Sequence, residues 1–143
     1  MGEIILFTDG SARPNPGKGG WGYVILVNDQ ELDGGGGVSY STNNRMELQA
    51  VISGLTRVIE LPQYTLRETI SIHTDSTYVI NGITQWIDSW IRRNWENVKN
   101  PDLWKQLYTL IQNRDITWHH VRAHMGHKYN ERCDQIAGKF ATG

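Results

Sequence analysis

Residues 3–9, EIILFTD, form an apolar run that ends in an acidic residue, Asp9, and predict a buried β-strand. A loop rich in glycine, proline and asparagine follows, GSARPNPGKGG at 10–20. Its composition is typical of a turn between strands. The next apolar run, WGYVILV at 21–27, is also expected to be a strand. The two runs and their loop predict the start of an antiparallel meander.

A third strand is predicted at VSYS, residues 38–41, after a polar stretch that ends in four glycines at 34–37. The glycine run lacks the Lys-Ser/Thr ending and the following helix of a phosphate-binding loop. We therefore interpret it as a flexible turn or bulge before the third strand.

The apolar pattern changes to helical spacing at Asn43, where Thr42 or Asn43 is a plausible N-cap and Pro62 a plausible end. The elements predicted after this helix are a strand in 68–75, helices on either side of Gly82, a helix from Pro101, a strand at 116–121 and a helix at 130–141. This order predicts an α/β fold with a mixed sheet flanked by helices. The length of 143 residues predicts one domain covering 1–143.

Bulk composition narrows the class of protein only a little. The chain has 14 basic and 15 acidic side chains, a net charge of −1, which neither indicates nor excludes a nucleic-acid binder. A single cysteine, Cys133, excludes an internal disulfide and favours a reducing compartment. The N-terminal MGEIILF has no basic region and is too short to span a membrane. We expect a soluble, cytoplasmic protein with no membrane contact, and a monomer.

Four carboxylates stand in polar, turn-forming or capping contexts, namely Asp9 in FTDGS, Glu47 in TNNRMEL, Asp75 in HTDSTYV and Asp134 in NERCDQIA. Each has an ordinary structural explanation when it is taken alone. Asp9 is a turn residue of an Asp-Gly pair, and Asp75 is an N-cap for the helix beginning at Ser76. Glu47 and Asp134 are solvated charges on helices.

Taken together, the four carboxylates favour a metal site, because strand ends and helix starts converge at one edge of such a sheet. Hard divalent cations such as Mg²⁺ take oxygen ligands. Two such ions about 4 Å apart can activate a water and stabilise a leaving oxygen in phosphoryl transfer.

The surrounding blocks, in their order along the chain, resemble those of the ribonuclease HI family (type 1 ribonuclease H). The resemblance spans nearly the whole chain. The matching blocks are TDGS at 8–11, NPG at 15–17, GGWG at 19–22, TNNRMEL at 42–48, TDS at 74–76, GITQWI at 82–87, DLW at 102–104, GH at 126–127 and NERCD at 130–134.

The resemblance implies a mixed five-stranded sheet, with three antiparallel strands followed by two parallel ones. It implies endonucleolytic cleavage of the RNA strand of an RNA/DNA hybrid, leaving 5′-phosphate and 3′-hydroxyl ends. The implied cofactors are two Mg²⁺ ions, for which Mn²⁺ is a possible substitute because both accept oxygen ligands. One ion would lower the pKa of the attacking water while the other stabilises charge on the departing 3′ oxygen.

Motif matching assigns roles to individual residues. The four metal-binding carboxylates of the family fall on Asp9, Glu47, Asp75 and Asp134, with none substituted. His124 matches the family's loop histidine, which is associated with proton transfer or product departure. We interpret His127 in the same segment as a merely exposed histidine.

The substrate-binding residues implied by the resemblance fall into three sets. Asn15, Asn43 and Asn44 suit recognition of the RNA 2′-hydroxyl. Asn15 is alternatively a turn former and Asn43 a helix cap, and both roles can coexist. Thr42 and Asn100 are expected at phosphates of the DNA strand. Trp86 and Trp90, one helical turn apart, are expected to line DNA sugars, although one or both could be core.

The chain departs from well-known bacterial members between Trp90 and Trp104, where it is several residues shorter and less rich in lysine. The segment 82–100 carries three basic residues, Arg92, Arg93 and Lys99, offset by two acidic ones. We therefore predict weaker substrate binding. A Michaelis constant equal to that of a long-protrusion homologue across a salt series would contradict this prediction.

Two other functions are compatible with the fold. One is a hybrid-binding module that has lost catalysis, whose signature would be a missing carboxylate. The other is a DNA-directed nuclease of the same fold, against which the TNNRMEL and NERCD blocks argue.

Overall fold

The computed structural model describes residues 3–122 and 127–142. Five strands and five α-helices follow the predicted order. The strands are β1 (Glu3–Ala12), β2 (Gly17–Val27), β3 (Gln30–Ser41), β4 (Thr69–Thr74) and β5 (Asp115–His120). The helices are α1 (Asn43–Glu60), α2 (Thr77–Asn81), α3 (Ile87–Arg92), α4 (Pro101–Ile111) and α5 (Lys128–Thr142), with a π-helical turn (Gly82–Trp86) between α2 and α3.

The strands form one mixed sheet in the order β3-β2-β1-β4-β5. The first three strands pair antiparallel, and β4 joins β1, and β5 joins β4, in parallel. This arrangement confirms the predicted fold class. β1 is the central strand, so its residues have neighbours on both sides. Asp9 lies beside Gly22 of β2, and Thr8 lies beside Thr74 at the end of β4.

Helices pack on both faces of this sheet. Successive side chains of β1 point to opposite faces and so contribute to two different apolar clusters. Leu6 belongs to the larger core with α1 and α4, in which Trp104 is fully buried. Phe7 belongs to a smaller cluster on the other face, with Cys133 of α5. Asp134 directly follows Cys133, so the packing of Cys133 in this cluster helps to position Asp134 relative to the sheet.

The glycine run at 34–37 is not a turn, and that prediction is wrong. β3 continues through it, and both sheet faces there are too crowded for side chains. A Cβ on Gly34 would lie 2.6 Å from Cζ of Tyr23, and one on Gly35 would lie 2.6 Å from Cγ2 of Ile136 in α5. The glycines therefore let an aromatic ring cover one face of β3 while α5 lies close against the other.

The helix boundaries agree with the sequence signals, except at Gly82. The Thr42 hydroxyl caps α1 by accepting a hydrogen bond from the Arg45 N–H at 3.3 Å, and α1 ends before Pro62. Pro101 begins α4. At Gly82 the chain does not break into two separate helices, because a π-helical turn carries α2 directly into α3. Within the described ranges, no helix combines the length and apolar character needed to cross a bilayer.

Candidate active site

Three of the predicted carboxylates come together at the edge of the sheet. Asp9 lies within β1, Glu47 lies in the second turn of α1 and Asp75 directly follows β4. One carboxylate oxygen from each of the three lies within 4.8 Å of the others. Asp134 of α5 lines the same cleft, which has a volume of about 480 Å³. The four side chains expected at a metal site thus share one cavity.

The ordinary explanations for two of these carboxylates do not hold. Asp9 is not in a turn, because β1 continues to Ala12. Asp75 is not the N-cap of α2, because Ser76 holds that position and its hydroxyl accepts a hydrogen bond from the Val79 N–H at 3.1 Å. Neither carboxylate is therefore accounted for by local backbone structure.

Gly10 joins β1 to α1 at the centre of the site. Its N–H lies 3.0 Å from Oε1 of Glu47 and 3.0 Å from Oδ1 of Asp9. A Cβ on Gly10 would lie 2.6 Å from the backbone N of Glu47 and would overlap the carbonyl of Met46. Only glycine allows this approach, so the TDGS block positions two carboxylates at once.

The site carries more negative charge than its protein environment balances. Burial, reinforced by the carboxylates of Asp75 and Asp134, raises the pKa of Asp9 to about 8. Burial, with Asp9 and Asp75 nearby, also raises the pKa of Glu47 well above its usual range. Without a cation Asp9 holds a proton near neutral pH, and a divalent cation would replace that proton. The oxygen donors and the charge deficit fit a hard divalent cation.

Two nearby hydrogen bonds involve the Asp134 carboxylate and the backbone of Asp75. Oδ1 of Asp134 accepts a hydrogen bond from Nη2 of Arg13 at 3.3 Å. The backbone carbonyl of Asp75 accepts a hydrogen bond from Nε2 of His120 at 3.2 Å, which connects the end of β4 to β5. Sequence reasoning missed Arg13, Gly10 and His120 as parts of the site. The TDGS block at 8–11 was a signal for Gly10, whereas Arg13 and His120 lie outside that block.

A family model described as RNase H matches residues 1–142 of this chain. The chain belongs to the ribonuclease H family. A ribonuclease H from Cupriavidus pinatubonensis is 44% identical over 144 residues, covering 97% of this chain and 95% of that protein. Ribonucleases H from Erythrobacter litoralis and Alcanivorax borkumensis match this chain as well, at 41% and 44% identity over 99% and 97% of it. The chain is accordingly a ribonuclease H enzyme.

Solved structures show the same fold for this ribonuclease H. LC9-RNase H1, described as a type 1 RNase H with the type 2 active-site motif, is 27% identical with a TM-score of 0.82, covering 96% of this chain and 71% of that one. LC11-RNase H1, solved in complex with an RNA/DNA hybrid, is 22% identical with a TM-score of 0.73, covering 96% of this chain and 95% of that one. These matches agree with the five-stranded sheet described above.

Of the three asparagines predicted to read the RNA strand, Asn43 lines the carboxylate cleft of this ribonuclease H. Oδ1 of Asn43 accepts a hydrogen bond from the Ala12 N–H at 2.7 Å, and Asn43 lines the cleft. Oδ1 of Asn15 accepts one from the Asn43 N–H at 3.1 Å. Asn43 is not the helix cap, because Thr42 is. Asn44 follows as an exposed residue.

Asn100 lies in a separate network between α1 and α4. Its Oδ1 accepts a hydrogen bond from Nη1 of Arg45 at 3.2 Å, and its Nδ2 donates one to Oη of Tyr78 at 3.0 Å. Arg45 also pairs with Asp102 at 2.7 Å. This network connects the N-terminus of α1, where Thr42 and Asn43 lie, with the start of α4.

The two predicted tryptophans occupy different environments. The Trp90 ring lies against the buried Trp104 ring, edge to face, with a centroid distance of 5.0 Å. Trp86, whose ring centroid is 6.2 Å from that of Trp90, is 40% exposed. Trp90 therefore contributes to the core, while Trp86 presents its ring to solvent.

His124 lies outside the described residues. His127, interpreted from sequence as an exposed histidine, is exposed, and its ring lies 5.0 Å from that of Phe7.

Proposed function

We propose that this ribonuclease H is an endonuclease that hydrolyses the RNA strand of RNA/DNA hybrids. The proposed cofactors are two Mg²⁺ ions, for which Mn²⁺ can substitute. The observation that carries the proposal is the convergence of Asp9, Glu47 and Asp75 within 4.8 Å, with Asp134 in the same cleft. These four carboxylates are the proposed ligands. The hybrid in the LC11-RNase H1 structure supports the proposed substrate class. The protein is proposed to act as one domain and as a monomer.

In the proposed reaction a water attacks the phosphorus and the P–O3′ bond breaks, which leaves 5′-phosphate and 3′-hydroxyl ends. When bound, the two cations lower the pKa of the attacking water and offset the charge on the departing oxygen. Asp9 would give up the proton that it holds in the cation-free site. The Gly10 N–H would keep Glu47 oriented toward Asp9 throughout, since it lies 3.0 Å from both carboxylates. His124 is proposed to transfer a proton or assist product departure.

Selection of RNA is proposed to depend on Asn15, Asn43 and Asn44. The oxygens of the first two bind backbone N–H groups, which leaves their amide N–H₂ groups oriented by the fold. A ribose 2′-hydroxyl can accept a hydrogen bond from such a donor, and DNA has no such group. Thr42 and Asn100 are proposed at the DNA phosphates, and Trp86 at the DNA sugars.

A gel assay with a strand-labelled RNA/DNA hybrid tests the function. We expect loss of the RNA strand in Mg²⁺, no loss with chelator, and no cleavage of duplex RNA or duplex DNA. Cleavage of duplex DNA but not of hybrid would instead indicate a DNA-directed nuclease. Tight hybrid binding without turnover would indicate an inactive binding module.

Replacing Trp86 with Ala is expected to weaken hybrid binding about ten-fold with little loss of stability, because the exposed ring is proposed to contact DNA sugars. Trp90→Ala is the matched control on the same helical face. It should cost about 2–4 kcal/mol of unfolding free energy, because Trp90 packs against the core. Michaelis constants and urea denaturation measure the two effects. Equal destabilisation by the two variants would refute the assignment of Trp86 to the substrate and of Trp90 to the core.

A further inference from the structure

The side chain of Arg13 lines the active-site cleft and is partly exposed. Its Nη2 donates to Oδ1 of Asp134 at 3.3 Å, and its Nε donates to Oγ of Ser11 at 3.2 Å. The guanidinium also lies close against α5 at Gly138, where a Cβ would be 2.8 Å from Nη1. Gly138 is one helical turn beyond Asp134, so the same stretch of α5 supplies both the carboxylate and the space for the guanidinium.

Arg13 is the sole basic residue among the described residues that line the cleft, and it faces four carboxylates there. Among the described lining residues it is therefore the one group that offsets carboxylate charge, through its ion pair with Asp134. The side chains of Arg13 and Asp134 are 43% and 37% exposed. An ion pair this exposed is weak, so a stronger partner can displace either member. A divalent cation is such a partner for Asp134.

We propose that Arg13 exchanges partners during the catalytic cycle, an inference that rests on the proposed function. In the cation-free enzyme Arg13 holds Asp134 at the cleft. When a cation takes Asp134, the guanidinium is released and binds a phosphate of the RNA strand next to the cleavage site. Its planar fork of N–H donors matches phosphate oxygens, and Ser11 and Gly138 keep it at the rim.

Cation binding without substrate tests the first half of the exchange. Arg13→Gln removes the group that competes for Asp134, so we expect it to bind Mn²⁺ roughly two- to five-fold more tightly than the wild type in a calorimetric titration. Arg132→Gln is the matched control. Arg132 lies in α5 and pairs with Asp33 at 2.9 Å, and the two side chains are 49% and 41% exposed, much like Arg13 and Asp134. Arg132 does not line the cleft. This control should leave Mn²⁺ affinity unchanged.

The salt dependence of the Michaelis constant tests the second half. At saturating Mg²⁺, Arg13→Gln should raise KM with little change in kcat, and should reduce the slope of log(1/KM) against log[KCl] by about one. Arg13→Lys keeps the charge and should restore most of that slope. Arg132→Gln should retain the wild-type slope. A residue that only supported the fold would alter thermal stability without changing the slope.

Unchanged or weaker Mn²⁺ affinity in Arg13→Gln would overturn the proposal, as would a wild-type salt slope in that variant. Failure of the proposed function is recognised separately, because the wild type would then not cleave the RNA strand in the same assays. The Mn²⁺ titration would still report on the pairing of Arg13 with Asp134.

Discussion

Replacing Asp9 with Asn is expected to reduce cleavage of the RNA strand by on the order of 1,000-fold or more. Asp9 lies at the centre of the carboxylate cluster, buried in β1 with 6% exposure. Asn removes the charge that would bind the cations while keeping nearly the same shape. The fold is expected to remain intact. The initial rate on a labelled hybrid in Mg²⁺ measures the effect.

The same variant is expected to be more stable than the wild type when no cation is present. Burial with neighbouring carboxylates raises the pKa of Asp9 from 3.8 to about 8. The folded state then binds the Asp9 proton more tightly than the unfolded state, so the contribution of Asp9 to stability is greatest at low pH. This contribution falls as pH rises from about 4 to about 8, and it is fully lost above the pKa of Asp9 in the folded state. At pH 8 with chelator, Asp9→Asn should gain about 1–3 kcal/mol, or several degrees in Tm.

Thermal melts at several pH values, with chelator and with Mn²⁺, measure this effect. Asp33→Asn is a suitable control, because Asp33 pairs with Arg132 away from the cleft. The advantage of Asp9→Asn should grow with pH in chelator, whereas Mn²⁺ should raise the Tm of the wild type more than that of the variant. Undiminished turnover in Asp9→Asn would refute the assignment of Asp9. A stability difference independent of pH would refute the electrostatic account.

Gly10→Ala is expected to disassemble the site through packing, without removing any charged group. The added Cβ would overlap the Met46 carbonyl and lie 2.6 Å from the N atom of Glu47. α1 must then move away from β1, and the N–H of Gly10 can no longer bind Glu47 at 3.0 Å. We expect a loss of about 2–3 kcal/mol of unfolding free energy. Mn²⁺ affinity should fall at least about ten-fold, as when a residue that orients a metal ligand is lost.

Gly37→Ala is the matched control for this prediction. A Cβ there would lie 3.1 Å from Cβ of Phe140 and 3.2 Å from the carbonyl oxygen of Gly19, contacts that shifts of a few tenths of an ångström in β3 and α5 would relieve. It should cost less than about 1 kcal/mol and leave Mn²⁺ affinity unchanged. Urea denaturation and calorimetric titration of both variants give the comparison. Wild-type Mn²⁺ affinity in Gly10→Ala would show that the contact between β1 and α1 does not position Glu47.

Local signals in the chain were sufficient to predict most elements of this fold. Alternating and continuous apolar runs indicated the strands, and Thr42, Pro62 and Pro101 marked helix ends that the structure confirms. These signals act over a few residues, where backbone geometry and capping dominate. The glycine run at 34–37 was misjudged because its cause is distant. Tyr23 of the paired strand β2 crowds one face of β3, and Ile136 of α5, far away in sequence, crowds the other.

In the candidate site, too, some features follow from the sequence and others only from the tertiary structure. The amino-acid sequence was enough to select Asp9, Glu47, Asp75 and Asp134, because each stands in a block that matches the family in its order along the chain. Tertiary structure alone decided that their oxygens share one cleft and that the pKa of Asp9 rises, since both depend on distances between β1, β4 and two helices.

The folded chain also separated residues that look equivalent in sequence. Trp86 and Trp90 share a helical spacing, yet one ring faces solvent while the other packs against Trp104. Arg13 attracts no notice in the loop after β1 until α5 brings Asp134 to it at 3.3 Å. Residue type and local pattern set which groups are present and which elements carry them. Burial and charge neighbours arise only when distant segments pack, and these decide what each group can do.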